Sequence, residues 1–160
     1  MITIFVCEIE NDMEKLKEPL GRITGRINRV FFGTLQKKLS HLDIDRSFYP
    51  LLIIASRDGE LTQKDLAEEL SSDKVQIVRI INYLSENGYV ERVQNEKDRR
   101  KYKLHLTEKG RKAIPDIQKT TDELSNIAFK DMPEENVEQL YRMLNTIENN
   151  LLCLKNEVEE

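Results

Sequence analysis

Between residues 71 and 88 the chain reads SSDKVQIVRIINYLSENG, and this stretch limits the possible fold more than any other. Ile77, Ile80, Ile81 and Leu84 recur at three- and four-residue steps, which draws one buried stripe along a helix. Lys74, Gln76, Arg79 and Asn82 then point elsewhere, towards solvent or a partner. Asn87-Gly88 supplies a left-handed C-terminal stop. Upstream, TQKDLAEEL (62–70) predicts a shorter helix, with Thr62 as cap and Asp65 three residues on in an imperfect capping box. Downstream, strands over 89–94 and 101–106 flank a charged tip, Asn95-Glu96-Lys97-Asp98-Arg99-Arg100. Helix, turn, helix and basic hairpin in that order describe a helix-turn-helix with a wing, the layout of a nucleic-acid reader.

The flanking sequence is mostly helical. From Met13 to about Ser40, the residues Leu16, Leu20, Ile23, Ile27, Val30, Phe31, Leu35 and Leu39 predict one long amphipathic helix. Gly21, Gly25 and Gly33 within it admit either close helix–helix approach or a place on an open face. Residues 42–45 form a loop, Ser47 is placed to cap the next helix, and Pro50 sits in its first turn. LLIIA (51–55) is the most apolar run of the chain and predicts core. Beyond the hairpin, Thr107 caps a helix in which Pro115 predicts a kink or break. A last helix opens around Pro133-Glu134-Glu135, and Val137, Leu140, Tyr141, Leu144, Ile147, Leu151 and Leu154 form its stripe. The fold class is therefore mostly α with a small β-hairpin wing. Amphipathic helices from both ends flank the winged core with more apolar face than a monomer can bury, so a symmetric dimer is expected.

The formal net charge of −4 looks wrong for a DNA binder until it is divided along the chain. Residues 46–112 hold 14 Lys/Arg against 11 Asp/Glu, while residues 113–160 hold 4 against 11. Phosphate contacts are local, so the positive balance of the helix-turn-helix and wing matters more than the total.

Candidate DNA contacts follow from residue chemistry. Gln76 can pair bidentately with adenine and Arg79 with guanine, while Lys74 suits a phosphate. Asn82 can reach a base or a sugar-phosphate oxygen. Val75 and Val78 lie outside the buried stripe, and two readings stay open: extension of the core contact, or pressure on thymine methyl groups. In the wing, Lys97, Arg99, Arg100 and Lys101 supply positive charge, and an arginine at such a tip fits a narrow minor groove. Asp98 repels phosphate, so its expected role is to brace the wing by pairing with a nearby arginine.

Three stretches then bring a family into view: LTQKDLAEEL (61–70), DKVQIVRIINYLSENGYVERV (73–93) and DRRKYKLHLTEKG (98–110). Over roughly residues 13–155 the chain resembles the MarR (multiple antibiotic resistance regulator) family. The third stretch, Asp-x-Arg followed by strand, Leu-Thr and Gly, is similar to the family's wing signature and is the most specific. The resemblance implies one domain over 13–155, with a DNA-binding core at 46–107, dimerisation helices at 13–40 and 108–156, and an N-terminal arm at 1–12. It implies a homodimeric repressor on a pseudo-palindromic operator in double-stranded DNA, with the first and last helices interlocked. On the family pattern Arg100 is the minor-groove arginine and Asp98 its brace. Many relatives are released from DNA by a small aromatic or phenolic effector held between the DNA-binding and dimerisation regions. The chain departs from the pattern at Val75, Gln76 and Val78, where relatives usually have small or hydroxylic residues, and this leaves the operator sequence open.

Other classes fit less well. Cys7 and Cys153 lie near opposite ends without metal-ligand spacing, so two free thiols are expected; a redox-switched repressor is the alternative. A winged-helix protein-interaction module is a second alternative, against which Gln76, Arg79 and Arg100 argue. With only His41 and His105, no Ser/His/Asp set and no glycine-rich phosphate loop, an enzyme is not expected, nor is a cofactor or metal. Phe31, Phe32, His41, Phe48 and Tyr49 cluster where the first helix meets the second, and core packing is the default account of them. No apolar run is long enough to span a bilayer and no signal peptide is read, so a cytoplasmic protein is expected.

Overall fold

The structure, a computed structural model, describes residues 18–95 and 101–158, with side chains through 154. Six helices and one two-stranded antiparallel hairpin make up the described residues: α1 (Leu20–Lys38), α2 (Phe48–Ser56), α3 (Gln63–Glu69), α4 (Lys74–Glu86), β1 (Val90–Gln94), β2 (Tyr102–Leu106), α5 (Glu108–Ala128) and α6 (Glu134–Val158). This is the winged helix-turn-helix order. The chain divides into two compact units, the first ending at Thr120 and the second starting at Thr121.

In the first unit the core comes from every element: Leu35 and Leu39 at the end of α1, Phe48, Leu51 and Ile54 of α2, Leu66 of α3, Ile77, Ile81 and Leu84 of α4, Leu104 and Leu106 of β2, and Ile117 of α5. The LLIIA run is only partly core, because a nine-residue helix can bury one side. Leu51 and Ile54 are inside, and Leu52, Ile53 and Ala55 are partly exposed. Among the described residues the first helix begins at Leu20, and residues 13–17 of the expected helix lie outside them. Pro19 sets that start: the residue before a proline is pushed out of the helical region. Glu18 instead turns back and accepts from Arg26 at 2.6 and 2.7 Å. Ser47 stands at the N-cap of α2 but its side chain makes no cap bond, since its backbone (ψ 25°) is not in the extended conformation a cap needs.

The two Schellman-type stops of the helix-turn-helix use different residues. After α3, the N–H of Ser72 donates to the Ala67 carbonyl at 3.0 Å, and Ser71 takes φ 48°. After α4, Tyr89 N–H donates to Leu84 at 2.8 Å, and Gly88 takes φ 74° at no steric cost. The hairpin pairs Val90 with Leu106 and Gln94 with Tyr102. Its second strand is also tied to the α2–α3 connection: Leu104 N–H donates to the Leu61 carbonyl at 2.8 Å, and Gly59 N–H donates to Leu104 at 3.0 Å. Asp58 closes the joint by accepting from Leu106 N–H at 2.9 Å and pairing with Arg111.

Thr107 caps α5 as expected, accepting from Gly110 N–H at 3.0 Å. A Cβ on Gly110 would lie 2.3 Å from the Tyr89 carbonyl oxygen, so only glycine lets α5 start this close to the end of α4. Of the expected kink or break at Pro115, the break does not occur: α5 runs unbroken through it. Ala113 and Ile117, buried on either side of the proline, hold the helix against the loss of one hydrogen bond. In the second unit, Phe129 and Tyr141 meet edge to face at 5.7 Å across the turn into α6.

Candidate nucleic-acid interface

α4 is fixed before any ligand arrives. Asp73 caps it, its carboxylate accepting from Gln76 N–H at 2.8 Å, and the Gly88 stop closes the other end. Ile77, Ile81 and Leu84 are fully buried; Ile80, at the edge of the stripe, is half-buried. At roughly 100° per residue, the side opposite that stripe holds Val75, Arg79, Asn82 and Glu86, with Val78 beside them and Lys74 and Gln76 on the flanks. All seven are exposed. Among the described residues, the side chains of Lys74, Gln76 and Arg79 have no hydrogen-bond or ion-pair partner.

Two open readings narrow here, and one residue is added. Val75 and Val78 do not extend the core: they are 61 % and 43 % exposed, because their positions on the helix turn them away from α3 and β1. Val75 occupies the middle of the outward side, where polarity alone did not single it out. Asn82 already has a partner, accepting from Arg92 Nη2 of β1 at 2.6 Å. Arg92 was missed by sequence reasoning, although the two-residue period of a strand puts it on the same face as buried Val90. The pair joins the outward side of α4 to the first strand of the wing.

The wing narrows to Asn95 and Lys101, whose backbones bond at 2.9 Å. Lys101 is exposed. Lys97, Asp98, Arg99 and Arg100 lie between them, outside the described residues. The base of the assembly is held by a complete capping box on α3, better formed than the aspartate at the fourth position promised. Thr62 N–H and hydroxyl both donate to Asp65 Oδ2 at 2.8 Å, and Asp65 N–H donates to Thr62 Oγ1 at 3.3 Å. The hydrogen bond from the Thr62 backbone, reinforced by its hydroxyl, holds the Asp65 carboxyl below its ordinary value of 3.8.

A cavity of about 470 Å³ lies along α1, lined by Gly25, Asn28, Arg29, Phe32 and Gly33 together with Arg46. A Cβ at Gly25 or Gly33 would meet nothing within 4 Å, so among the described residues neither glycine serves a close contact. Tyr49 stands edge-on to Phe32 at 5.4 Å, while Phe48 is core. His41 is an exposed loop residue 3.3 Å from Asp116. Cys153 is exposed on α6 and Cys7 lies outside the described residues. Among the described residues there is no group of three or more His, Cys, Asp and Glu suited to a metal, and no helix long and apolar enough to cross a membrane.

Comparison with known proteins agrees with this layout. The family model described as "MarR family" matches residues 45–101. A MarR transcriptional regulator from Methanosarcina mazei is similar at 32 % identity and TM-score 0.76, covering 86 % of this chain and 99 % of that one. The HTH-type transcriptional repressor IacR of Pseudomonas putida is 27 % identical over 84 % of this chain and 78 % of its own length. A MarR family regulator from Listeria monocytogenes, solved complexed with a 26mer DNA, is similar at 25 % identity and TM-score 0.78, covering 85 % of this chain and 90 % of that one.

Proposed function

Because the chain belongs to the MarR family of transcriptional regulators, we propose that it is a homodimeric repressor that reads a pseudo-palindromic operator through α4 and grips the flanking DNA with its wing. The observation that carries this reading is the outward side of α4. A helix capped at both ends and anchored by Ile77, Ile81 and Leu84 presents Lys74, Gln76, Val78 and Arg79 to solvent with their polar groups uncommitted. Gln76 and Arg79 contact base edges, Lys74 a phosphate, and Asn82 acts through its bond to Arg92. Lys97, Arg99, Arg100 and Lys101 follow the backbone and minor groove, with Asp98 bracing Arg100.

In this reading residues 13–155 form one domain. Its DNA-binding core spans 46–107, and 13–40 with 108–156 dimerise. Repression is favoured by the likeness to a named repressor. The cavity on α1 fits a small aromatic effector bearing an anionic group, since Arg29 and Arg46 line it beside the Phe32 ring. Effector binding there releases the DNA.

The test is fluorescence anisotropy of the purified protein on DNA from upstream of its own gene and on fragments selected from its genome, over a salt series. Specific binding exceeds that to random DNA by about a thousandfold or more. Arg79→Ala costs roughly 1–3 kcal/mol and relaxes specificity at one base, whereas Lys74→Ala weakens all sequences alike and lowers the salt slope by about one. Equal, weak binding of the wild type to every fragment with one salt slope would overturn the reading.

A further inference from the structure

Val75 and Val78 are apolar groups that the described residues leave 61 % and 43 % exposed. They stand one turn apart on the outward side of α4, and Arg79 follows Val75 by four residues on the same side. In a helix a valine is nearly restricted to one rotamer, so the methyl groups of the pair are held in set positions. Valine is also a weaker helix former than most alternatives, so the pair is not explained by helix stability. Lys74 and Arg79 adjoin it, and the surrounding 46–112 stretch has a positive balance, which selects a polyanion as the occupant. On duplex DNA, the apolar feature of the major-groove edge is the thymine C5 methyl group.

We propose that Val75 and Val78 form a rigid apolar clasp for thymine methyl groups, so that each operator half-site carries thymine beside the base read by Arg79. The proposal rests on α4 being the recognition helix and adds the base feature that it reads. Each methyl withdrawn from water between the valines corresponds to roughly a fourfold change in affinity.

Replacing thymine by deoxyuridine removes the methyl and leaves the hydrogen-bonding edge intact, which supplies the test. Duplexes are enriched from a randomised library by the full chain, and each thymine of the recovered site is replaced in turn. At one or two positions per half-site the wild type loses roughly fourfold in affinity. The double variant Val75→Ala, Val78→Ala binds the thymine duplex more weakly and shows no further loss on the uracil duplexes, the signature of a direct coupling. Val75→Thr, which keeps the shape but replaces one methyl by a hydroxyl, loses part of the effect. Both variants unfold in urea as the wild type does, because the valines are exposed.

Uracil without effect at every position, a thymine-free half-site, or an undiminished uracil effect in the double variant each overturns the clasp. So does a change in sedimentation of the double variant, which would make the pair a contact between copies of the chain. An enriched site that is sensitive to Arg79→Ala but not to uracil removes the clasp and leaves α4 as the reader. No enriched site at all removes both.

Discussion

Ile77, Ile81 and Leu84 of α4 are wholly buried, whereas Tyr141, Leu144, Leu151 and Leu154 of α6 lie at the surface. Both helices show the same three- and four-residue apolar rhythm in sequence. The rhythm states that a helix has an apolar face but not what will cover it. For α4 the cover is local, supplied by α3 and the hairpin within a few dozen residues, and the opposite side is left free for recognition. For α6 the stripe remains half-buried at Val137, Leu140 and Ile147 and exposed elsewhere. An exposed stripe of that length on a 25-residue helix is the kind of surface that a partner chain covers.

Charging the stripe of α6 breaks the comparison most severely. Leu144 and Leu151 are seven residues apart and share one side of the helix. On the proposed dimer, the variant Leu144→Glu, Leu151→Glu is expected to sediment as a monomer and the wild type as a dimer. With one half-site reader in place of two, operator affinity falls by roughly a hundredfold or more. A double variant that sediments and binds as the wild type does would make the stripe plain surface and remove dimerisation through α6.

Within α4 the same contrast can be drawn between its two sides. Ile81→Ala leaves a cavity in a fully buried site and costs about 2–5 kcal/mol in urea unfolding. Val75→Ala, on the exposed side, changes stability by less than about 0.5 kcal/mol. Equal costs would mean that the outward side is covered in the folded protein, and the reader surface would have to be sought elsewhere.

Much of this was legible in residues with a local physical signature. The buried stripe of α4, the Gly88 stop, the Thr62 and Thr107 caps and the hairpin depend on neighbours within about four residues or on strand alternation. What was not legible depended on competition or on distance. Pro19 outweighs a hydrophobic rhythm that runs straight through it, and Pro115 is overruled by burial on either side. Asn82 was read only as a group that can reach DNA, because its partner, Arg92, is ten residues away on a strand. The polar members of the candidate site could be read from helix phase. Val75 could not be placed by the same means, because a valine beside an isoleucine stripe is as consistent with core as with surface until the three-dimensional neighbours exclude core.

The smallest effect separates the helix-turn-helix from the proposed dimer face by its pH dependence. Thr62 and Asp65 cap α3 reciprocally, and Thr62→Ala costs about 1 kcal/mol. Asp65 is held below its ordinary 3.8 by hydrogen bonds that only the folded chain makes, above all from Thr62 N–H. A carboxyl whose folded-state value is depressed stabilises fully above its unfolded value, and that stabilisation is lost as pH falls through the folded value. The stability gap between wild type and Asp65→Asn is therefore largest at neutral pH and closes below the ordinary carboxylate range, with the oligomeric state of the two proteins identical throughout. Urea titrations across that range read it directly. A gap that stays constant on acidification would mean that the carboxylate's charge does not contribute to the cap. A gap accompanied by dissociation would tie α3 to the dimer face and dissolve the division between a self-contained reader and a partner-dependent arm.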